Sequence, residues 1–134
     1  MRDGASSKSL HGRRFLVVED NAVNQLLMSG MLAMQGADVD LAANGELGLE
    51  VMKTSSYDAI FMDCQMPIVD GYESTILIRS LEAGTHKRIP IVAMTANASE
   101  ADRLACLEAG MDDYMSKPVK RQDLLEAFQK HLIS

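Results

Sequence analysis

Glu19 and Asp20 stand side by side after the apolar run FLVV, and three single polar residues follow later apolar runs. Asp63 comes after AIFM, Thr95 after IVAM and Lys117 after DDYMS. Three carboxylates, a hydroxyl and an ammonium are the groups needed to handle a phosphoryl group, if the chain brings them together. Singly, each has an ordinary use: Asp and Glu cap helices, a threonine hydroxyl does the same, and a lysine before a turn is common surface. Jointly they conflict, because carboxylates ~4 Å apart repel by roughly 4 kcal/mol per pair at an effective dielectric near 20. A cation relieves this. A few oxygen ligands suit Mg²⁺, which keeps several waters and takes one or two carboxylates plus phosphate oxygens, with Mn²⁺ as a substitute. Asp63 follows the most apolar run, where an ionised carboxylate is costly unless a metal or base pairs with it. Held there, it is placed to attack a phosphoryl group in line and form an acyl phosphate, with Lys117 offsetting charge on the transferring oxygens and Thr95 donating a hydrogen bond to one of them.

The elements that must position these groups alternate along the chain. RFLVVE is a short apolar run, and residues 21–35 carry apolar residues at helical spacing up to Gly36. ADVDLA is a second strand, followed by a helix over about 45–55 with Leu47, Val51 and Met52 on one side. DAIFMD is a third, and PIVDG is turn chemistry leading to a helix through Ile76, Ile78 and Leu81 that Gly84 closes. RIPIVAM is a fourth, and Ser99 with Asp102 matches a capping box for a helix ending at Gly110. DDYMS is a fifth, Pro118 breaks the chain, and a last helix over 121–132 turns Leu124, Leu125, Phe128 and Leu132 inward. Five βα repeats with short connections and right-handed crossovers predict an α/β fold: a doubly wound parallel sheet with helices on both faces. In such a sheet the C-terminal strand ends share one edge, where ligands bind.

With 134 residues, 47% of them hydrophobic, the chain fits one domain: residues 13–134, after a polar, Ser- and Gly-rich leader or linker over 1–12. Its net charge of −6 and short basic clusters, Arg13-Arg14 and Lys87-Arg88, argue against nucleic acid as a partner. Cys64 and Cys106 lack zinc or redox-motif spacing and read as free thiols. With no signal peptide and no long apolar segment, a cytoplasmic setting without direct membrane contact is expected, any anchor belonging to a parent chain. The methionines at helical spacing, as in LLMSGMLAM, are assigned to packing. None of His11, His86 and His131 reads as a phosphorylated or metal-binding residue.

Taken together, VVEDN at 17–21, MDCQMPIVDG at 62–71, MTA at 94–96 and SKP at 116–118 resemble the receiver (response-regulator) domain of two-component phosphorelays, over about residues 13–132. The resemblance implies a flavodoxin-like sheet of order 2-1-3-4-5 with five helices. It implies that Asp63 is phosphorylated by a histidine kinase or histidine phosphotransfer domain. Asp20, Asp63 and the backbone carbonyl of Gln65 would bind Mg²⁺, with Glu19 acting through a metal-bound water. Thr95 and Lys117 would grip the phosphoryl oxygens, and Met66, Pro67 and Gly71 would shape the neighbouring loop. Lys117–Pro118 would be a cis bond, and Gln65 and Asn97 would influence how long the phosphorylated state survives. Thr95 and Tyr114 would form the conformational switch, reported on the surface around the fourth helix, fifth strand and fifth helix.

EDNAVNQ at 19–25 is similar to receivers at the C-terminal ends of hybrid sensor histidine kinases, and a phosphohistidine is expected to approach Asp63 over the first helix near Asn24. The chain is expected to carry no effector domain and to signal by contact, a weak dimer included. A stand-alone regulator is the alternative. A haloacid-dehalogenase-type phosphatase is a more distant one, since Gln65 stands where its second Asp would act in proton transfer. A flavodoxin-like binding module lacks the Gly-rich phosphate loop and sufficient aromatics.

Overall fold

The computed structural model describes residues 10–64, 70–85, 88–96 and 99–131, apart from the side chains of Phe128 and His131. Strand and helix alternate five times: β1 (Arg14–Val18), α1 (Ala22–Met34), β2 (Asp38–Ala42), α2 (Gly45–Thr54), β3 (Ala59–Asp63), α3 (Gly71–Glu82), β4 (Ile91–Thr95), α4 (Glu100–Ala109), β5 (Asp113–Ser116) and α5 (Arg121–His131). All strand pairs are parallel, in the order β2-β1-β3-β4-β5. This is the doubly wound parallel sheet expected from the alternating periodicity, in the flavodoxin-like order that the resemblance implies. β3 and β4 are buried along their whole length, which is why they read as unbroken apolar runs rather than alternating ones.

The sheet separates two apolar layers. One joins Phe15, Val17, Phe61 and Met94 to Met28 and Leu32 of α1 and Leu124 of α5. The other joins Leu16, Ile60, Met62 and Ala93 to Ile78 of α3 and Cys106 of α4. Side chains that alternate across each strand therefore serve both faces. Leu10, assigned from sequence to the leader, is buried in the first layer, and its N–H donates to the Gln35 carbonyl at 3.0 Å. Helix starts follow cap chemistry: Asn21, Asn44, Asp70 and Ser99 each accept a backbone N–H from three residues on. Gly110 ends α4 in the left-handed conformation at φ 108°.

Two inward helix faces differ from the sequence expectation. Leu47 is exposed, and α2 instead turns Gly45 and Gly48 to the sheet, where a Cβ on Gly48 would sit 3.1 Å from Val18 Cγ2. In α3, Ile76 and Leu81 are exposed while Gly71, Ser74, Thr75 and Ile78 are buried, a full i, i+3, i+4, i+7 stripe made mostly of small residues. Close helix-to-sheet approach selects small side chains there and rotates the large ones to solvent. Met28, Met62, Met94, Met111 and Met115 are core residues, but Met34 is exposed. Of the inward positions expected in the last helix, Leu124 is buried, whereas the Phe128 side chain and Leu132 lie outside the described residues. No helix among the described residues is long and apolar enough to cross a membrane.

Candidate functional site

Parallel register brings the polar residues to one edge. Val18 pairs with Met62, Asp63 with Met94, and Thr95 with Ser116, so the residues at and just past the ends of β1, β3, β4 and β5 converge. Glu19, Asp63 and Thr95 are buried, whereas Asp20 is exposed. Carboxylate oxygens of Glu19, Asp20 and Asp63 all lie within 4.8 Å of one another. Lys117 reaches in from the residue after β5, its Nζ 3.0 Å from Asp63 Oδ1 and 3.1 Å from Glu19 Oε1. Three carboxylates and one ammonium leave −3 + 1 = −2 in a largely buried cluster, a surplus that hard oxygen donors at this spacing resolve by holding a small dication.

Each group is fixed by its local backbone. The Asn21 N–H donates to Glu19 Oε2 at 3.1 Å, and Gln25 Nε2 donates to the Glu19 carbonyl at 2.7 Å, so the first turn of α1 clamps the acidic pair. The Lys117 N–H donates to the Thr95 carbonyl at 2.8 Å, and the following Lys117–Pro118 bond is cis. Burial, reinforced by the nearby Asp63 charge, holds the Glu19 carboxyl above its usual range despite the Asn21 hydrogen bond. For Lys117 burial pulls the other way, but the contacts to Asp63 and Glu19 prevail and keep its ammonium more basic than usual. Gln65, Met66, Pro67 and Asn97 lie outside the described residues.

Gly71 opens α3 directly behind the acid. A Cβ there would collide with the Asp63 carbonyl oxygen and come within 2.8 Å of Cys64 Cα, both backbone atoms that cannot swing aside. Gly71→Ala is expected to displace the Asp63 backbone and to cost about 1–3 kcal/mol of folding stability, read from the urea midpoint. An unchanged midpoint would mean that the end of β3 tolerates this shift.

Tyr114 pairs with Ala93 in the sheet and is half-buried against the α2, α3 and α4 layer. On the other side, a narrow cleft runs from Asn24, Leu27, Met28 and Met31 of α1 to Lys117 and Pro118. Val23, Leu26 and Leu27 are exposed on the outer face of α1. Sequence reasoning did not find the Gln25 clamp, for which a helix-start glutamine gives no distinct signal. Nor did it place Cys106 against Cys64, since their separation in the chain carries no sign of contact.

A family model described as the response regulator receiver domain matches residues 15–129. Hybrid signal transduction histidine kinase B of Dictyostelium discoideum is 42% identical over 129 residues, a match that covers 89% of this chain but 7% of that protein. The chain thus spans a small fraction of such relatives. The crystal structure of the receiver domain of a Pseudomonas aeruginosa sensor histidine kinase, with a magnesium ion coordinated in its active-site cleft, is 46% identical with a TM-score of 0.82, covering 92% of this chain and 99% of that one. A co-crystal structure of the Saccharomyces cerevisiae histidine phosphotransfer protein Ypd1 with the receiver domain of its downstream response regulator Ssk1 matches with 31% identity and a TM-score of 0.82, covering 89% of this chain and 88% of that one.

Proposed function

The chain belongs to the response regulator receiver domain family, and on that premise we propose that Asp63 accepts a phosphoryl group from a phosphohistidine in a Mg²⁺-dependent reaction. The observation that carries this is the buried Asp63 carboxylate, 3.0 Å from Lys117 within a cluster of three acids. Asp20, Asp63 and the Gln65 carbonyl, with Glu19 through a water, would hold Mg²⁺ or Mn²⁺, which supplies positive charge to the phosphoryl oxygens. Asp63 attacks phosphorus in line, the P–N bond to the donor histidine breaks, and an aspartyl phosphate forms. Lys117 moves with the transferred charge from the carboxylate toward a phosphoryl oxygen, and the Thr95 hydroxyl donates to another. Catalysis at such a site is positioning and charge compensation rather than proton transfer.

The donor would be a helical histidine phosphotransfer or kinase domain seated on α1, where Val23, Leu26 and Leu27 present an apolar face beside the cleft. The Ypd1–Ssk1 complex supports a partner of that kind, and the Dictyostelium relative supports a hybrid histidine kinase as the parent. Two buried free thiols fit a cytoplasmic setting.

Output requires a conformation that phosphorylation favours. Thr95 and Tyr114 sit on adjacent strands and are the pair to carry it. Tyr114→Ala is expected to leave Asp63 labelling within about twofold of wild type while removing most of the phosphorylation-dependent change in partner affinity, read by titrating both forms with the partner. A variant that retains the full change would remove Tyr114 from the switch.

Intact-mass spectrometry after incubation with Mg²⁺ and phosphoramidate tests the proposal. One phosphoryl adduct that hydroxylamine removes and a chelator prevents is expected. A wild-type chain that stays unmodified under saturating donor would contradict it.

A further inference from the structure

Cys64 and Cys106 stand 42 positions apart in the chain, yet their Sγ atoms lie 3.9 Å apart in the interior. Both side chains are about 1% exposed. Cys64 is the residue after Asp63: its N–H donates to the Met94 carbonyl and its carbonyl accepts from the Gly71 N–H. Cys106 lies in the second turn of α4, on the face that meets the sheet. Tyr72, from the first turn of α3, packs against the same cluster. Three elements thus bring two thiols and a phenol together just beneath the phosphoacceptor position.

We propose that Cys64 and Cys106 are a modification site, closing to a reversible intramolecular disulfide when a hydroperoxide is the oxidant. One sulfur attacks the hydroperoxide, an S–O bond forms as the O–O bond breaks, and the leaving oxygen takes the thiol proton. With hydrogen peroxide this gives a sulfenic acid and water. The second sulfur then displaces hydroxide from the first, the S–S bond forms as the S–O bond breaks, and the second thiol proton leaves with the hydroxide as water. The peroxide is reduced by two electrons and the two thiols are oxidised by one each.

Reaching a bonded separation of about 2.05 Å requires the sulfurs to close the remaining gap by side-chain rotation and a small shift of α4 toward the end of β3. The thiols are enclosed, so reaction with a small oxidant proceeds through local opening and is slower than for surface cysteines. Disulfides of this sort in reducing compartments are transient and regulatory rather than structural. The product would tie the strand end that carries Asp63 to α4, an element flanking the Tyr114 strand. None of this chemistry depends on phosphoryl transfer, so it stands or falls apart from the function proposed above.

The full chain, reduced and then freed of reductant, is treated with hydrogen peroxide under native conditions and analysed by intact mass and by digestion without reductant. Expected are the loss of two hydrogens, a linked pair of peptides containing Cys64 and Cys106, reversal by dithiothreitol, and a thermal midpoint raised on the order of 10 °C by the cross-link. Cys106→Ser and Cys64→Ser are each expected to lose the two-hydrogen change. The wild-type chain alone decides the matter if either variant folds poorly. A chain that stays reduced, forms only intermolecular disulfides, or joins these cysteines only in denaturant would overturn the proposal. Labelling of the reduced chain by phosphoramidate, measured in parallel, reports the phosphoryl site separately.

Discussion

Lys117→Met is expected to slow phosphoryl labelling by about 10²–10³-fold at saturating Mg²⁺ while strengthening Mg²⁺ binding by about tenfold or more. Opposite signs arise because one ammonium plays two parts. In the resting site its Nζ lies 3.0 Å from Asp63 Oδ1 and 3.1 Å from Glu19 Oε1, where it neutralises acids that would otherwise attract the dication. Removing it takes the cluster from −2 to −3 and deepens the potential for Mg²⁺. During transfer, however, the same charge offsets negative charge on the phosphoryl oxygens, and methionine has none to offer. Calorimetric titration with Mg²⁺ and labelling rates from phosphoramidate read the two effects independently. A variant with weaker Mg²⁺ binding and an unchanged rate would show that Lys117 serves only to hold the site together.

Phe61→Ala is expected to cost about 3–5 kcal/mol of folding stability, a large share of the 5–15 kcal/mol or so typical of a domain. Phe61 is fully buried at the centre of β3, with its ring edge-on to Phe15 at 5.8 Å between centroids and 68° between planes. Truncation removes that contact and leaves a hole between the sheet and the α1 and α5 layer. The urea midpoint should fall by roughly 2 M. Phe61→Leu retains most of the buried apolar area and should lose much less. Since Asp63 is two residues further along the same strand, its chemistry in folded molecules is expected to survive both changes. A midpoint shift under ~0.5 M for Phe61→Ala would mean that the core relaxes around the gap.

The polar edge of the sheet was legible because its residues stand at strand ends, and a doubly wound sheet leaves those ends little freedom in where they meet. Glu19, Asp63, Thr95 and Lys117 needed only that rule to be brought together. Helix faces were harder to read where helices approach the sheet closely. Hydrophobic periodicity pointed to Leu47, Ile76 and Leu81, but Gly48, Ser74 and Thr75 occupy the contact stripes because larger side chains would hold the helices away. Leu10 read as part of a polar leader, yet one apolar side chain with a backbone hydrogen bond to Gln35 is enough to fasten that turn to the core. The contact between Cys64 and Cys106 could not be read at all, since it depends on how α4 lies over β3 rather than on any local pattern.

The most direct measurement is to locate the phosphoryl group. Wild-type chain labelled with Mg²⁺ and phosphoramidate is reduced with borohydride, which converts an aspartyl phosphate to homoserine, and its peptides are sequenced by mass spectrometry. Homoserine at position 63, absent when Asp63→Asn is treated in the same way, is the result expected. Modification at Asp20 or another residue, or labelling of the Asp63→Asn chain at the wild-type level, would contradict Asp63 as the phosphoacceptor.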